Sequence, residues 1–273
     1  MTSSFYPPQR TLMGPGPSDV SPRVLGALAR PTIGHLDPLF VRLMDEIKAL
    51  LQFAFRTENA LTLPVSAPGS AGMEACFVNL VSPGDTVIVC QNGVFGGRMR
   101  ENVERCGASA IMVQDASDAA ALCAIAARNG ALSIVDTVTS LGGIPVNVDA
   151  WGADAVYSGT QKCLSCVPGI SPVTFSPRAV ERIQQRSQPV QSWFLDMQLI
   201  MGYWGSNNKR AYHHTAPVND LYALHEALLM LQEEGLEHAW ARHRRNHDAL
   251  VAGLEAMGLG MAVAAEHRLP QLN

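Results

Sequence analysis

Lys162 closes Tyr157-Ser158-Gly159-Thr160-Gln161-Lys162, just after the short apolar run that begins at Ala155, and leads into Cys163-Leu164. An amine so flanked is partly desolvated, which favours its neutral form and frees it for Schiff-base chemistry. Asp136 ends Ile134-Val135-Asp136, an acid at the close of another apolar run. Ser66-Ala67-Pro68-Gly69-Ser70-Ala71-Gly72-Met73-Glu74 is a loop of small residues entering a helical pattern. Free backbone N–H groups at a helix start, together with the helix dipole, bind anions. Taken singly, each feature has an ordinary reading: a lysine that snorkels at the surface, a loop or cap acid, and a plain turn. The loop matches neither a Walker loop nor a dinucleotide fingerprint. Taken together, an anion cradle, an acid and a lysine at separate strand ends are what pyridoxal 5′-phosphate requires. The cradle seats the phosphate, the acid keeps the ring nitrogen protonated, and the amine meets the aldehyde.

The elements that must position these groups follow from periodicity. Phe40, Leu43, Met44, Ile47, Leu50 and Leu51 recur at three- and four-residue steps from Pro38 onward, with Asp45, Glu46 and Lys48 opposite, which predicts a helix. After Leu61 the pattern alternates. β-rich runs at 85–90, 108–113, 132–136, 155–158 and 172–175 are separated by helical stretches at 72–81, 96–105 and 116–129. This alternation predicts a mostly parallel sheet covered on both faces, with a site beyond the carboxyl ends of its strands. Leu221, Leu224, Leu228 and Leu231 predict a helix ending near Gly235. A second helix over 236–257 and a strand over 261–264 are expected to follow. Residues 1–20, rich in Pro, Ser and Gly, read as an extended arm.

Composition sets the outer limits. The chain has 273 residues, enough for one large domain or two unequal ones. It is 47% hydrophobic and 16% charged, which excludes a disordered chain. With 20 Lys+Arg against 24 Asp+Glu, the net charge of −4 gives no general attraction to nucleic acid or an anionic membrane. The longest apolar run, Ala119 to Ala127, is far short of the roughly 20 residues a bilayer span needs. The N-terminus lacks the charged-then-apolar pattern of a secretory signal, and the six cysteines read as reduced core residues, so a cytoplasmic protein is expected.

The sequence resembles the class V aminotransferases of pyridoxal-phosphate fold type I, and within them the alanine–glyoxylate and serine–pyruvate branch. The resemblance rests on Met13-Gly14-Pro15-Gly16-Pro17-Ser18, Met44-Asp45-Glu46-Ile47-Lys48, Leu61-Thr62, Asn92-Gly93, Val135-Asp136, Ser140-Leu141-Gly142-Gly143, the Tyr157–Lys162 motif and Tyr212-His213-His214-Thr215. It implies an α/β fold with a large cofactor domain over 21–234, followed over 235–273 by a linking helix and the start of a small C-terminal domain. By the same resemblance Lys162 would hold the cofactor as an internal aldimine and move the substrate proton. Asp136 would pair with the pyridine nitrogen. Gly69, Ser70 and Ala71 would face the phosphate beside Gln161, and Phe95 and Val138 would cover the two faces of the ring. Tyr212 and Thr215 would reach the neighbouring subunit's phosphate, which implies a homodimer, and Pro15 and Gly16 would line a pocket for small amino acids. The implied reaction passes the amino group of L-alanine or L-serine to glyoxylate or pyruvate. Pyridoxamine–pyruvate or aminoethylphosphonate transamination, and a truncated non-catalytic chain that binds the cofactor, are the alternatives.

The family pattern is longer than this chain. Its members carry a further helix and strand where Gln114-Asp115 joins Val113 to the next helical stretch. They also carry a C-terminal domain whose arginine grips the substrate carboxylate. No residue of this sequence can be assigned that grip, and the expectation is that the sequence omits parts of a longer polypeptide. Other signals carry less. Cys163 and Cys166 form a lone C-x-x-C without a second pair, and Arg244 and Arg245 separate His243 from His247. No metal site is expected.

Overall fold

A computed structural model describes residues 2–114, 118–205 and 210–273. Residues 2–20 form neither helix nor strand and lie largely exposed. Then come α1 (Pro22–Leu28), α2 (Pro38–Phe55), β1 (Leu61–Val65), α3 (Gly69–Leu80), β2 (Thr86–Gln91), α4 (Val94–Arg105), β3 (Ser109–Gln114) and α5 (Ala119–Arg128). The chain continues through β4 (Ile134–Asp136), α6 (Val148–Trp151), β5 (Ala155–Tyr157), β6 (Ser171–Phe175), α7 (Pro177–Gln184), α8 (Met197–Trp204), α9 (Val218–Glu234) and α10 (Leu236–Ala256).

The expected helix from Pro38 forms because Asp37 accepts the Leu39 N–H as its cap and Pro38 occupies the first turn, where a missing N–H costs nothing. Its predicted stripe is the buried one: Phe40, Met44, Ile47, Leu50 and Leu51 enter the core while Asp45 stays outside. The α9 stripe Leu221, Leu224, Leu228 and Leu231 is buried as well, and α9 packs against α1 and α2. Each large apolar side chain so buried stabilises the fold by about 1.5–3 kcal/mol. Glu226 of α9 ties α1 down, accepting from Arg23 at 2.6 Å and from Arg30 at 2.9 Å.

The main sheet runs β1-β6-β5-β4. β4 and β5 are parallel, and β6 runs antiparallel to both of its neighbours. The sheet is therefore mixed, with β6 the reversed strand. β2 and β3 pair in parallel as a second sheet, and among the described residues the two sheets share no strand pairing. β3 and α5 flank the join at which the family resemblance expects a further helix and strand. Asp115 and Ala116, which that reading placed at the join and at the start of the next helix, lie outside the described residues.

Two readings need correction. The helix expected from residue 72 starts at Gly69, so the small-residue loop is itself the first turn of α3. No strand forms over 261–264; the chain bends there and makes a short 3₁₀ turn at Ala265–His267. A short extended run forms a strand only with a partner ladder, and none lies beside it among the described residues. β1, which contains Pro64, lies at the edge of the sheet, where proline is tolerated.

Candidate active site

Asp136 is the last residue of β4 and is largely enclosed. Its Oδ1 accepts the Val138 N–H at 2.8 Å and its Oδ2 accepts the Tyr157 hydroxyl at 2.7 Å. Burial pushes its carboxyl above the ordinary value, against the pull of the Val138 N–H, the Tyr157 hydroxyl and the Lys162 charge. A carboxylate under that strain favours a cationic N–H partner. Tyr157 ends β5, where it pairs in register with Asp136, so one inter-strand ladder fixes both the acid and its supporting hydroxyl.

Lys162 stands past the end of β5 on a loop pinned from two sides. Thr160 donates its hydroxyl to Val167 O at 2.6 Å, and Ser18 in the arm donates its N–H to Gln161 O at 3.1 Å and its hydroxyl to Lys162 O at 3.2 Å. The Lys162 ammonium donates to Pro15 O at 2.5 Å. Gly16 has a φ of +125°, and a Cβ there would lie 2.7 Å from Lys162 Nζ. The left-handed backbone conformation favours glycine at that point, and the Lys162 side chain lies directly against it.

The cradle is the first turn of α3. Pro68 precedes it as N-cap without a side-chain hydrogen bond, so nothing from the cap residue covers the orphan N–H groups of the turn. Ala71 N–H donates to Pro68 O at 2.7 Å, which leaves the Gly69 and Ser70 N–H groups and the Ser70 hydroxyl to face an anion. A Cβ on Gly69 would lie 3.5 Å from Ser158 O and 3.6 Å from Val138 Cγ2. One on Gly159 would lie 2.9 Å from Gln161 Oε1 and 3.5 Å from Val138 Cγ1. Gly69, Val138, Gly159 and Gln161 thus converge where α3 begins.

The residues present fit pyridoxal phosphate. Gln161 Oε1 is buried without a hydrogen-bond partner, and an amide that rotates by half a turn offers donors in place of that oxygen. The uncapped helix start lies against Val138, whose N–H holds the acid strained by burial, and the Lys162 charge acts on that acid. Phe95, second residue of α4, is 52% exposed, with the Arg98 guanidinium 4.6 Å from its ring centre. Tyr212 and Thr215 lie in the loop before α9, their hydroxyl oxygens 3.4 Å apart and both residues exposed.

Four supporting residues carry no role in the sequence reading: Tyr157, Ser18, Ser66 and His214. Tyr157 and Ser18 belong to quoted motifs, but their partners Asp136 and Lys162 stand 21 and 144 positions away. Ser66 meets His214 Nε2 at 2.7 Å across 148 positions.

Known proteins resemble this chain over nearly all of its length. The pattern of the family described as aminotransferase class-V matches residues 112–271. An alanine–glyoxylate aminotransferase of Oryctolagus cuniculus is 38% identical, aligned over 94% of this chain and 74% of its own length. That alignment runs over 294 residues against the chain's 273, so the relative carries residues without counterpart here. The crystal structure of an alanine–glyoxylate aminotransferase from Nostoc sp. superposes with a TM-score of 0.95 at 42% identity, covering 99% of this chain and 80% of that one. The ureidoglycine–glyoxylate aminotransferase of Bacillus subtilis gives a TM-score of 0.95 at 33% identity, over 98% and 78%.

Fold and relatives together define a pyridoxal-phosphate-dependent aminotransferase of fold type I. The chain belongs to the class V aminotransferase family.

Proposed function

We propose that this protein passes the amino group of a small L-amino acid, alanine or serine, to glyoxylate or pyruvate. The observation that carries the reading is the convergence of Lys162, Asp136 and the uncapped start of α3 at the strand ends. The names of the relatives narrow the acceptor: alanine–glyoxylate and ureidoglycine–glyoxylate enzymes share glyoxylate. Pyridoxal phosphate, when bound, supplies an aldehyde that condenses with amines and a ring that takes up an electron pair.

The chain's residues do the rest. Lys162 Nζ would hold the group and, when free, would be the base that takes a proton from substrate Cα and the acid that returns one. Asp136 holds a proton on the ring nitrogen, with Tyr157 and Val138 fixing its two oxygens. Gly69, Ser70 and Gln161 seat the phosphate, with Ala71 closing the turn through its own N–H to Pro68 O, while Val138 and Phe95 exclude water from the ring faces. Pro15 and Gly16 bound the substrate pocket, where a bare backbone leaves room for a methyl or hydroxymethyl side chain. Tyr212 and Thr215 serve a second copy's phosphate, so the working unit is a homodimer. Residues 1–20 act as arm, 21–234 as cofactor domain, and 235–273 as the link to a small domain.

The test is an absorbance titration with pyridoxal phosphate, followed by L-alanine. A yellow band should form and then fade as pyruvate appears, and Lys162→Ala should abolish both changes. Full turnover by that variant overturns the assignment.

A further inference from the structure

Ser66, His214, His213 and the Trp193 carbonyl form one continuous hydrogen-bonded line. Ser66 Oγ lies 2.7 Å from His214 Nε2, His214 Nδ1 lies 2.8 Å from His213 Nδ1, and His213 Nε2 lies 3.4 Å from Trp193 O. A carbonyl only accepts, so His213 donates from Nε2, and in the neutral ring its Nδ1 is then the acceptor. His214 must then carry its proton on Nδ1 to meet that acceptor, which leaves His214 Nε2 bare. Ser66 therefore donates. One fixed acceptor at the far end sets the direction of every hydrogen bond back to Ser66.

The line is enclosed by rings. Trp193 stacks on His213 with centroids 4.3 Å apart and planes 12° apart. Phe194 and Tyr203 meet His214 edge-on at 5.1 and 5.5 Å. Burial and the neighbouring His213 and His35 push the His214 pKa down to about 4, so the ring is neutral at physiological pH. Both ends matter to the site. Ser66 follows β1 and stands three residues before the first turn of α3, and His214 lies between Tyr212 and Thr215 in sequence.

We infer that His214, held as the Nδ1–H tautomer by His213 and the Trp193 carbonyl, is a positioning residue for the cofactor phosphate. It fixes the entry to its own chain's α3 cradle through Ser66 and holds the loop whose Tyr212 and Thr215 serve the second copy's phosphate. The inference rests on the phosphate-binding roles given above to Gly69, Ser70, Tyr212 and Thr215.

Two measurements test it. Imidazole ¹⁵N spectra of the cofactor-free protein should show His214 protonated at Nδ1 and His213 at Nε2; the reverse pattern overturns the line of donors. Pyridoxal phosphate binding is then titrated by absorbance on the wild type, Ser66→Ala, His214→Phe and His214→Gln. Loss of the Ser66 hydrogen bond should weaken binding about tenfold in the first two variants. His214→Gln should recover most of the loss, since its amide accepts from Ser66 and donates to His213. Unchanged affinity in Ser66→Ala and His214→Phe overturns the positioning role while leaving the proposed function standing. A wild type that forms no band removes both.

Discussion

Asp136 holds its charge at a cost. Both oxygens are engaged, yet burial still raises its pKa above the ordinary value in the cofactor-free chain. The folded protein therefore binds a proton at Asp136 at higher pH than the unfolded chain does. Ionised Asp136 works against folding at neutral pH, and the penalty is relieved as pH falls through the raised folded pKa. Asp136→Asn should make the cofactor-free protein more resistant to urea at pH 7, with the advantage shrinking at acid pH. The same variant should lose at least about a hundredfold in turnover, because the ring nitrogen loses its anionic partner. A loss of stability at pH 7 would show that the two hydrogen bonds outweigh burial. This residue was legible in the sequence as a strand-end acid. Its support was not, because Tyr157 and Asp136 meet only through the pairing of β4 with β5, 21 positions apart.

The elements place the cradle through one tight contact. A Cβ on Gly72 would lie 1.9 Å from Ser171 Oγ and 2.9 Å from Ser171 Cβ, so α3 packs on β6 at a distance only glycine permits. Ser171 cannot swing away freely, since its hydroxyl donates to Ser158 O at 2.6 Å in the loop that leads to Lys162. Gly72→Ala should therefore cost about 1–3 kcal/mol of stability by overpacking. It should also weaken pyridoxal phosphate binding, because α3 must tilt off the sheet and carry Gly69 and Ser70 with it. Adding Ser171→Ala to Gly72→Ala should restore part of the stability by removing the Ser171 Oγ that the new methyl meets at 1.9 Å; no restoration would mean that Ser171 is not what limits the approach. Helices with a long apolar stripe, α2 and α9, were readable from their spacing. The seven-residue α1 and eight-residue α7 were not, because two turns are too short to set a period.

At the scale of the whole molecule, the split between the sheets is the feature with the widest consequence. β5 and β6 lie inside a four-stranded sheet and are fully buried. Among the described residues β2 and β3 pair only with each other, and Ile88 and Ile111 on that ribbon are 64% and 52% exposed. What holds the ribbon is α4 on its other face, with Val89 and Val103 buried between them. A two-stranded ribbon with both edges open and one face wet opens at lower free energy than strands in a covered sheet. Amides of 86–91 and 109–114 should exchange with deuterium at least about a hundredfold faster than those of 155–157 and 171–175, an opening gap of roughly 3 kcal/mol. Phe95 makes this a functional matter, because it stands at the start of the helix that holds the ribbon. If its ring covers the cofactor, pyridoxal phosphate should slow exchange in 86–91, and Phe95→Ala should cancel that slowing without altering exchange in the cofactor-free protein. Equal protection of ribbon and main sheet would instead show that the two sheets open as a single cooperative unit despite sharing no strand pairing among the described residues.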